Sequence, residues 1–397
     1  MELKKEKFKS ELNKALELAI MVLIALKPIV DMFYELRVLD GVLLVVALAL
    51  VVVLSVCNGL KVSRVDVVPI LWMLMIILSV LISRENTMWN PVIKLLSIFP
   101  IYYLGKYVPA DQNLKAQGML RGTLLIVLSI NVLTLLCGKG YQVWAQDANT
   151  FSGLYYFKTD LALAMAQVIL FILVYRSAKW YHWFACVAAA GLMILSNSRI
   201  YFAVTLILIC ICGIWFRWRG TKIEFKKISI FAITAILASV LLIAVMAQIP
   251  FFKSRHFISF TLDGSIKDIL VYNLMFRNII WTDVLKAYLK SGCFHILFGN
   301  GCNVNMPWHD AHSMYVATVY NFGIIGIVLL IMLLVWAWCL IRDGSDNQDY
   351  FLNLGLWIII LVAGISYVTT ESTQYTWITG FYIGMISGKL GMSNEEG

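Results

Sequence analysis

Histidine is scarce in this sequence, with five in 397 residues, and His295, His309 and His312 fall in a single polar stretch that ends at the start of a long apolar run. An imidazole can take up or release a proton near neutral pH. Two arginines stand out beside it: Arg199 in SNSRIYF and Arg277 in RNIIW. A guanidinium makes paired, charge-assisted bonds to phosphate oxygens. A base next to two such groups suits deprotonation of a hydroxyl with an anionic leaving group such as a diphosphate. The expected catalytic set is therefore His312, Arg277 and Arg199. Lys158, Arg255, His309, Asp310 and Tyr315 are the expected substrate-binding residues around it. Each also has a plainer reading. Arg199 could snorkel to lipid headgroups, and Arg277 could be solvated on an amphipathic helix. Lys158 and Asp160 could neutralise each other, and His312 could cap a loop. His309-Asp310-x-His312 has no further carboxylate or histidine at helical spacing, so no metal is expected. No cofactor is expected either.

The element that must carry His312 lies in GNGCNVNMPWHDAHSMYVATVYNFGIIG, residues 299–326. Pro307 stops any helix before it. Asp310 is placed to be the N-cap of the next one. The apolar pattern then runs from His312 to Leu340, some 29 residues or about 43 Å of helix. The apolar core of a bilayer is only ~30 Å thick. The first two turns, with His312 and Tyr315, are expected to stand clear of the hydrocarbon. His312 itself is expected in the first turn, at the positive end of the helix dipole.

Composition makes lipid the solvent for most of the chain. Apolar residues are 61% and charged residues 14%, against about 45–50% apolar in soluble domains. The expected fold is all-α, a polytopic integral membrane protein forming one membrane domain over 1–397. About twelve spans are read at 13–34, 39–58, 66–83, 90–108, 118–137, 154–175, 180–197, 200–217, 228–250, 312–340, 351–370 and 374–391. The basic N-terminal tail lacks a small-residue cleavage pattern after it, so the first span is expected to be a retained anchor. The net charge of +9 does not point to nucleic acid, because it is spread between hydrophobic segments. Placing both termini in the cytoplasm puts most lysines and arginines inside. The short connections outside then hold only Arg37, Arg84, Lys139, Lys158 and Arg199. Residues 251–311 form a long outer loop between the ninth and tenth spans. Within it, DILVYNLMFRNIIWTDVLKAYLK reads as an amphipathic helix with Arg277, Trp281, Val284, Leu285 and Tyr288 along one stripe. This helix is expected on the membrane surface or over a cavity. The eight cysteines form no metal pattern, and Cys293 and Cys302, which share one polar loop and could pair in an oxidising compartment, are expected rather as free thiols.

With these stretches in order, the chain resembles the O-antigen polymerase and ligase family of membrane glycosyltransferases. SNSR at Arg199, RNIIW at Arg277 followed by FGNG at Phe298–Gly301, HSMYVATVYNFGIIG at His312 and GLYYFKTDLA at Lys158 carry the likeness. Three positions depart from the family pattern. Ser313 stands where asparagine is usual, Thr159-Asp160 follows Lys158 where asparagine is usual, and Asn321-Phe322 replaces an acidic residue. The resemblance implies transfer of a glycan from undecaprenyl diphosphate to a sugar hydroxyl at the outer face of the bacterial plasma membrane. Inversion at the anomeric carbon and no metal are implied with it. Under it His312 would deprotonate the acceptor, while Arg199 and Arg277 would hold the diphosphate. The implied product is O-antigen, capsule or exopolysaccharide. Implied partners are lipid-linked donor and acceptor, membrane lipid, and possible chain-length regulator and flippase proteins, with no nucleic acid. Two alternatives stay open: a ligase moving the glycan to another acceptor, and a flippase or other transporter of lipid-linked oligosaccharide. Transporters favour internal repeats and broken helices, and no repeated halves are visible.

Overall fold

The computed structural model describes residues 2–33, 35, 38–144, 147–175, 179–196, 198, 200, 201, 204, 205, 207–209, 266–345 and 347–393. The described chain is dominated by helices. In order they are α1 (Glu2–Met32), α2 (Val38–Asn58), α3 (Val67–Ser83), α4 (Trp89–Gly105), α5 (Asn113–Leu136), α6 (Lys158–Leu173) and α7 (Trp180–Leu195). Next come α8 (Ile266–Leu289), α9 (Cys293–Phe298), α10 (Met314–Gly344), α11 (Asn347–Ala363) and α12 (Thr373–Ser393). Among the described residues four stretches, rather than about twelve, are long and apolar enough to cross a membrane: Val38–Asn58, Arg64–Asn86, Ala110–Leu136 and Met314–Gly344. Trp180–Leu195 and Asp349–Ala363 are shorter apolar helices. The span read at 228–250 lies outside the described residues, as does the end of the one read at 200–217.

The apolar surface is distributed as lipid solvation requires. Leu161 to Ile172 of α6 are all buried, so this helix runs through the middle of the bundle. By contrast Val45, Val52 and Val56 on α2, and Val328, Ile331 and Val335 on α10, face outward. Without a strong hydrophobic drive between helices in lipid, close backbone approach gives the attraction. α4 and α12 show this: a Cβ on Gly105 would collide with the Phe381 carbonyl, and one on Gly384 with that of Tyr102. Trp377 donates across the same contact to Ser97 Oγ at 2.9 Å.

The all-α expectation needs one correction. Tyr141–Trp144 and Asp147–Phe151 pair as an antiparallel hairpin, β1–β2, in the connection after α5. The alternating YQVW run suits half-buried strands, and Phe151 and Thr150 are buried beneath it.

Connections separate cleanly to the two ends of the bundle. At one end Lys106 pairs with Asp66, Tyr102 donates to Ser387 Oγ at 2.7 Å, and Asn58 bonds Asn13 at 3.0 Å. At the other end Met88 N–H donates to the Cys302 carbonyl at 2.7 Å, and Val304 N–H to that of Asn86 at 3.0 Å. The α3–α4 turn is thus stitched to the segment before α10.

Candidate functional site

The second end holds the residues singled out by the sequence. The expected helix start is displaced: α10 begins at Met314 with Ser313 in the extended N-cap position, so His312 precedes the helix rather than sitting in its first turn. Asp310 is not the N-cap. Its Oδ1 accepts from the His312 N–H at 2.8 Å, a local turn that competes with helix capping. The helix's first N–H, at Met314, is instead met by the carbonyls of Gly364 at 2.8 Å and Tyr367 at 3.1 Å. His312 is held at φ +48, a left-handed backbone that costs a non-glycine residue roughly 1–2 kcal/mol.

Two groups hold it there. His312 Nδ1 lies 3.1 Å from Asp310 Oδ2. Arg277 Nη1 donates to the His312 carbonyl at 3.0 Å and to the Ser366 carbonyl at 2.9 Å. Each such bond from a charged donor is worth about 1.5–3 kcal/mol. Arg277 therefore ties α8 to both the start of α10 and the end of α11. The stripe expected on α8 is met in part: Val284 and Tyr288 are buried and Trp281 is partly buried, but Ile280, not in the expected set, is the third buried residue, all packed with Met306, Ala311, Ala317 and Tyr320. Burial raises the Asp310 carboxyl, but hydrogen bonds from the His312 ring and backbone N–H and the nearby Arg277 charge outweigh it and hold it below the usual carboxylate range.

A cavity of about 190 Å³ opens beside this knot. Lys94, Asp310, Asn321, Tyr367 and Glu371 supply much of its polar wall, with Met306 and Val368 among the apolar residues. Glu371, in the turn Thr369–Glu371 before α12, is pushed up to about 7 by burial and by the Asp310 charge, with Lys94 pulling the other way.

The floor of the site is a broken helix. Gly323, at φ +67 and ψ −160, interrupts α10 after its first segment. The break releases carbonyls that would have bonded onward. Asn300 N–H caps the Tyr320 carbonyl at 2.8 Å and Gly301 N–H that of Asn321 at 2.9 Å. A Cβ on Gly299 would strike the Asn321 and Phe322 backbone, which is why FGNG has glycine there.

The other expected site residues divide. Arg199 and Arg255 lie outside the described residues, as does the side chain of His309. Tyr201, two positions after Arg199, stacks 6.4 Å from Tyr375, which lies 5.8 Å from Tyr367 of the cavity wall. Lys158 opens α6, whose Asp160 carbonyl accepts from Gln374 at the start of α12 at 3.0 Å. Tyr315 bonds the Leu361 carbonyl at 3.0 Å and braces α10 against α11. Cys302 is buried and Cys293 exposed, both as thiols. No metal-holding group of three or more ligands occurs among the described residues. Sequence reasoning missed Lys94 and Glu371. The signal for Lys94 was available: a charge inside an apolar span is a functional hypothesis by default.

Comparison with protein-family models and with curated proteins finds no match.

Proposed function

We propose that this chain is a membrane glycosyltransferase that extends a bacterial polysaccharide, moving a glycan from undecaprenyl diphosphate to a sugar hydroxyl of a lipid-linked repeat unit. The observation that carries the reading is that Arg277, far back in the chain, bonds the His312 carbonyl while the His312 ring pairs with Asp310, which lines a polar cavity. On this reading His312, backed by Asp310, takes the acceptor proton. Asp310 fixes the ring through Nδ1, leaving Nε2 for the hydroxyl. Arg277 positions His312 through its carbonyl, and Arg199 with Arg277 offsets the charge of the leaving diphosphate. The membrane is the bacterial plasma membrane, both termini are cytoplasmic, and the site faces outward. The lysine and arginine distribution supports that orientation. The separation of connections to two ends agrees with it.

The test is to incubate the purified, lipid-reconstituted protein with synthetic lipid-linked repeat units. A ladder of extended glycans is expected, with one lipid diphosphate released per bond. Absence of both rules the activity out. Transfer to a different acceptor alone would make it a ligase. One observation favours the transporter alternative: the break at Gly323 is of the kind that lines transport sites. Movement of a labelled lipid-linked unit across the bilayer without extension would decide for it.

A further inference from the structure

We propose that Lys94 and Glu371 form a phosphate-binding subsite in the cavity beside His312, receiving the diphosphate end of a prenyl-borne ligand. This rests on the glycan-transfer reading and names residues that the reading does not use.

Two lysines are buried among the described residues, Lys27 and Lys106, and both are already paired; Lys94 is partly buried. Lys27 is bonded to Asp31 and Asp40. Lys106 is bonded to Asp66. Lys94 lines the cavity, and while its carbonyl accepts from Ser97 Oγ, no hydrogen bond or ion pair of its side chain is found among the described residues. Its carboxylate neighbours, Asp31, Asp160 and Glu371, act on it only at a distance. A half-buried ammonium facing a cavity calls for an anion to enter. Lys94 reaches that cavity from the second turn of α4, its Cα about 7 Å along the helix from Trp89.

Glu371 would repel an anion if ionised. Its surroundings favour the neutral acid, which donates a hydrogen bond instead. Facing it are Lys94 from α4, Asp310 and Cys302 from the segment before α10, and Tyr367 from the α11–α12 connection. With Glu371 protonated, the wall offers an ammonium and a carboxylic acid as donors, while the Asp310 carboxylate in the same wall is engaged by His312 Nδ1 at 3.1 Å. Asn321 adds a side-chain amide, 3% exposed, whose oxygen has no partner among the described residues. A buried amide left unsatisfied in a cavity wall is a place for a ligand group. A phosphate accepts from the first two groups, and a sugar hydroxyl next to it can satisfy the third.

Binding of farnesyl diphosphate to the protein in nanodiscs tests this, between about pH 5.5 and about pH 8.5. Farnesol and inorganic pyrophosphate serve as competitors. Wild type should bind more weakly as pH rises through about 7. The phosphate's own titration is common to all variants, so the Glu371 contribution is the slope that Glu371→Gln removes. Lys94→Gln should weaken binding about tenfold at every pH, the loss expected for one charge-assisted bond, and Lys94→Arg should restore most of it. Competition by pyrophosphate would show that the headgroup suffices. Binding of farnesyl diphosphate without such competition would assign the subsite to lipid-borne phosphate. Farnesol competing equally well, Lys94→Gln binding like wild type, or an unchanged slope in Glu371→Gln would overturn the subsite. A protein that builds glycan ladders without Lys94-dependent binding keeps its transfer function and loses the subsite. Binding without ladders does the reverse.

Discussion

At the scale of single residues, His312 illustrates how a reactive side chain is presented. It sits outside the helix it was expected to begin, in a strained backbone fixed by a carboxylate and a guanidinium. His312→Ala should lower transfer by about 10²–10⁴-fold, the usual yield of a positioned acid or base, measured as bond formation per inserted protein. Arg277→Lys keeps the charge but loses the planar guanidinium whose Nη1 donates to both carbonyls. It should lower both transfer and thermal stability, and a variant with wild-type values in both would remove Arg277 from the site. Titration has a definite sign here. Glu371 binds its proton more tightly folded than unfolded, so ionisation destabilises the fold as pH rises from the ordinary carboxylate range through about 7. Asp310 is depressed, so its contribution is present at neutral pH and is lost as pH falls below the ordinary range. Glu371→Gln should therefore melt higher than wild type at about pH 8 and alike at about pH 4, by differential scanning fluorimetry. Equal melting at both would show that Glu371 is not held against ionisation.

At the scale of elements, the break in α10 does the positioning. The FGNG loop reaches the end of the first helical segment because Gly299 and Gly323 carry no Cβ and tolerate positive φ. Gly323→Ala adds left-handed strain of roughly 1–2 kcal/mol and a collision with the Leu297 carbonyl. The variant should insert but lose activity and melt lower; unimpaired activity would show that the break is incidental. Much of this was legible in advance. The stripe on α8 follows from helical spacing, and Phe298–Gly301 and Gly323–Gly326 stood out as glycine pairs. What could not be read was local competition. Asp310 has one carboxylate and two possible amide clients, and the nearer His312 N–H wins over the helix start. The hairpin at Tyr141–Phe151 was hidden because its alternation is short. Lys94 and Glu371 belong to segments far apart in sequence, and only packing of α4 against the turn before α12 makes them neighbours in one wall.

At the scale of the whole molecule, the bundle has two chemically distinct ends joined by apolar helices. One gathers Asp66, Lys106 and Ser387, the other Arg277, Asp310, His312 and Glu371. Existing cysteines make the orientation measurable. Cys137 and Cys293 are exposed at the His312 end, and Cys57 lies at the other. In intact cells, a membrane-impermeant maleimide should label single-cysteine variants retaining Cys137 or Cys293, and not one retaining Cys57. The opposite pattern would turn the site toward the cytoplasm, where the outward-facing mechanism has no substrate.

The most direct measurement compares wild type with His312→Ala in one reconstituted assay, following glycosidic bond formation and lipid diphosphate release from a defined lipid-linked repeat unit. The expected result is a growing ladder with matching diphosphate release from wild type. Both should fall by at least about a hundredfold in the variant while it stays folded and inserted. A His312→Ala protein that extends the ladder at the wild-type rate contradicts the assignment of that imidazole as the base.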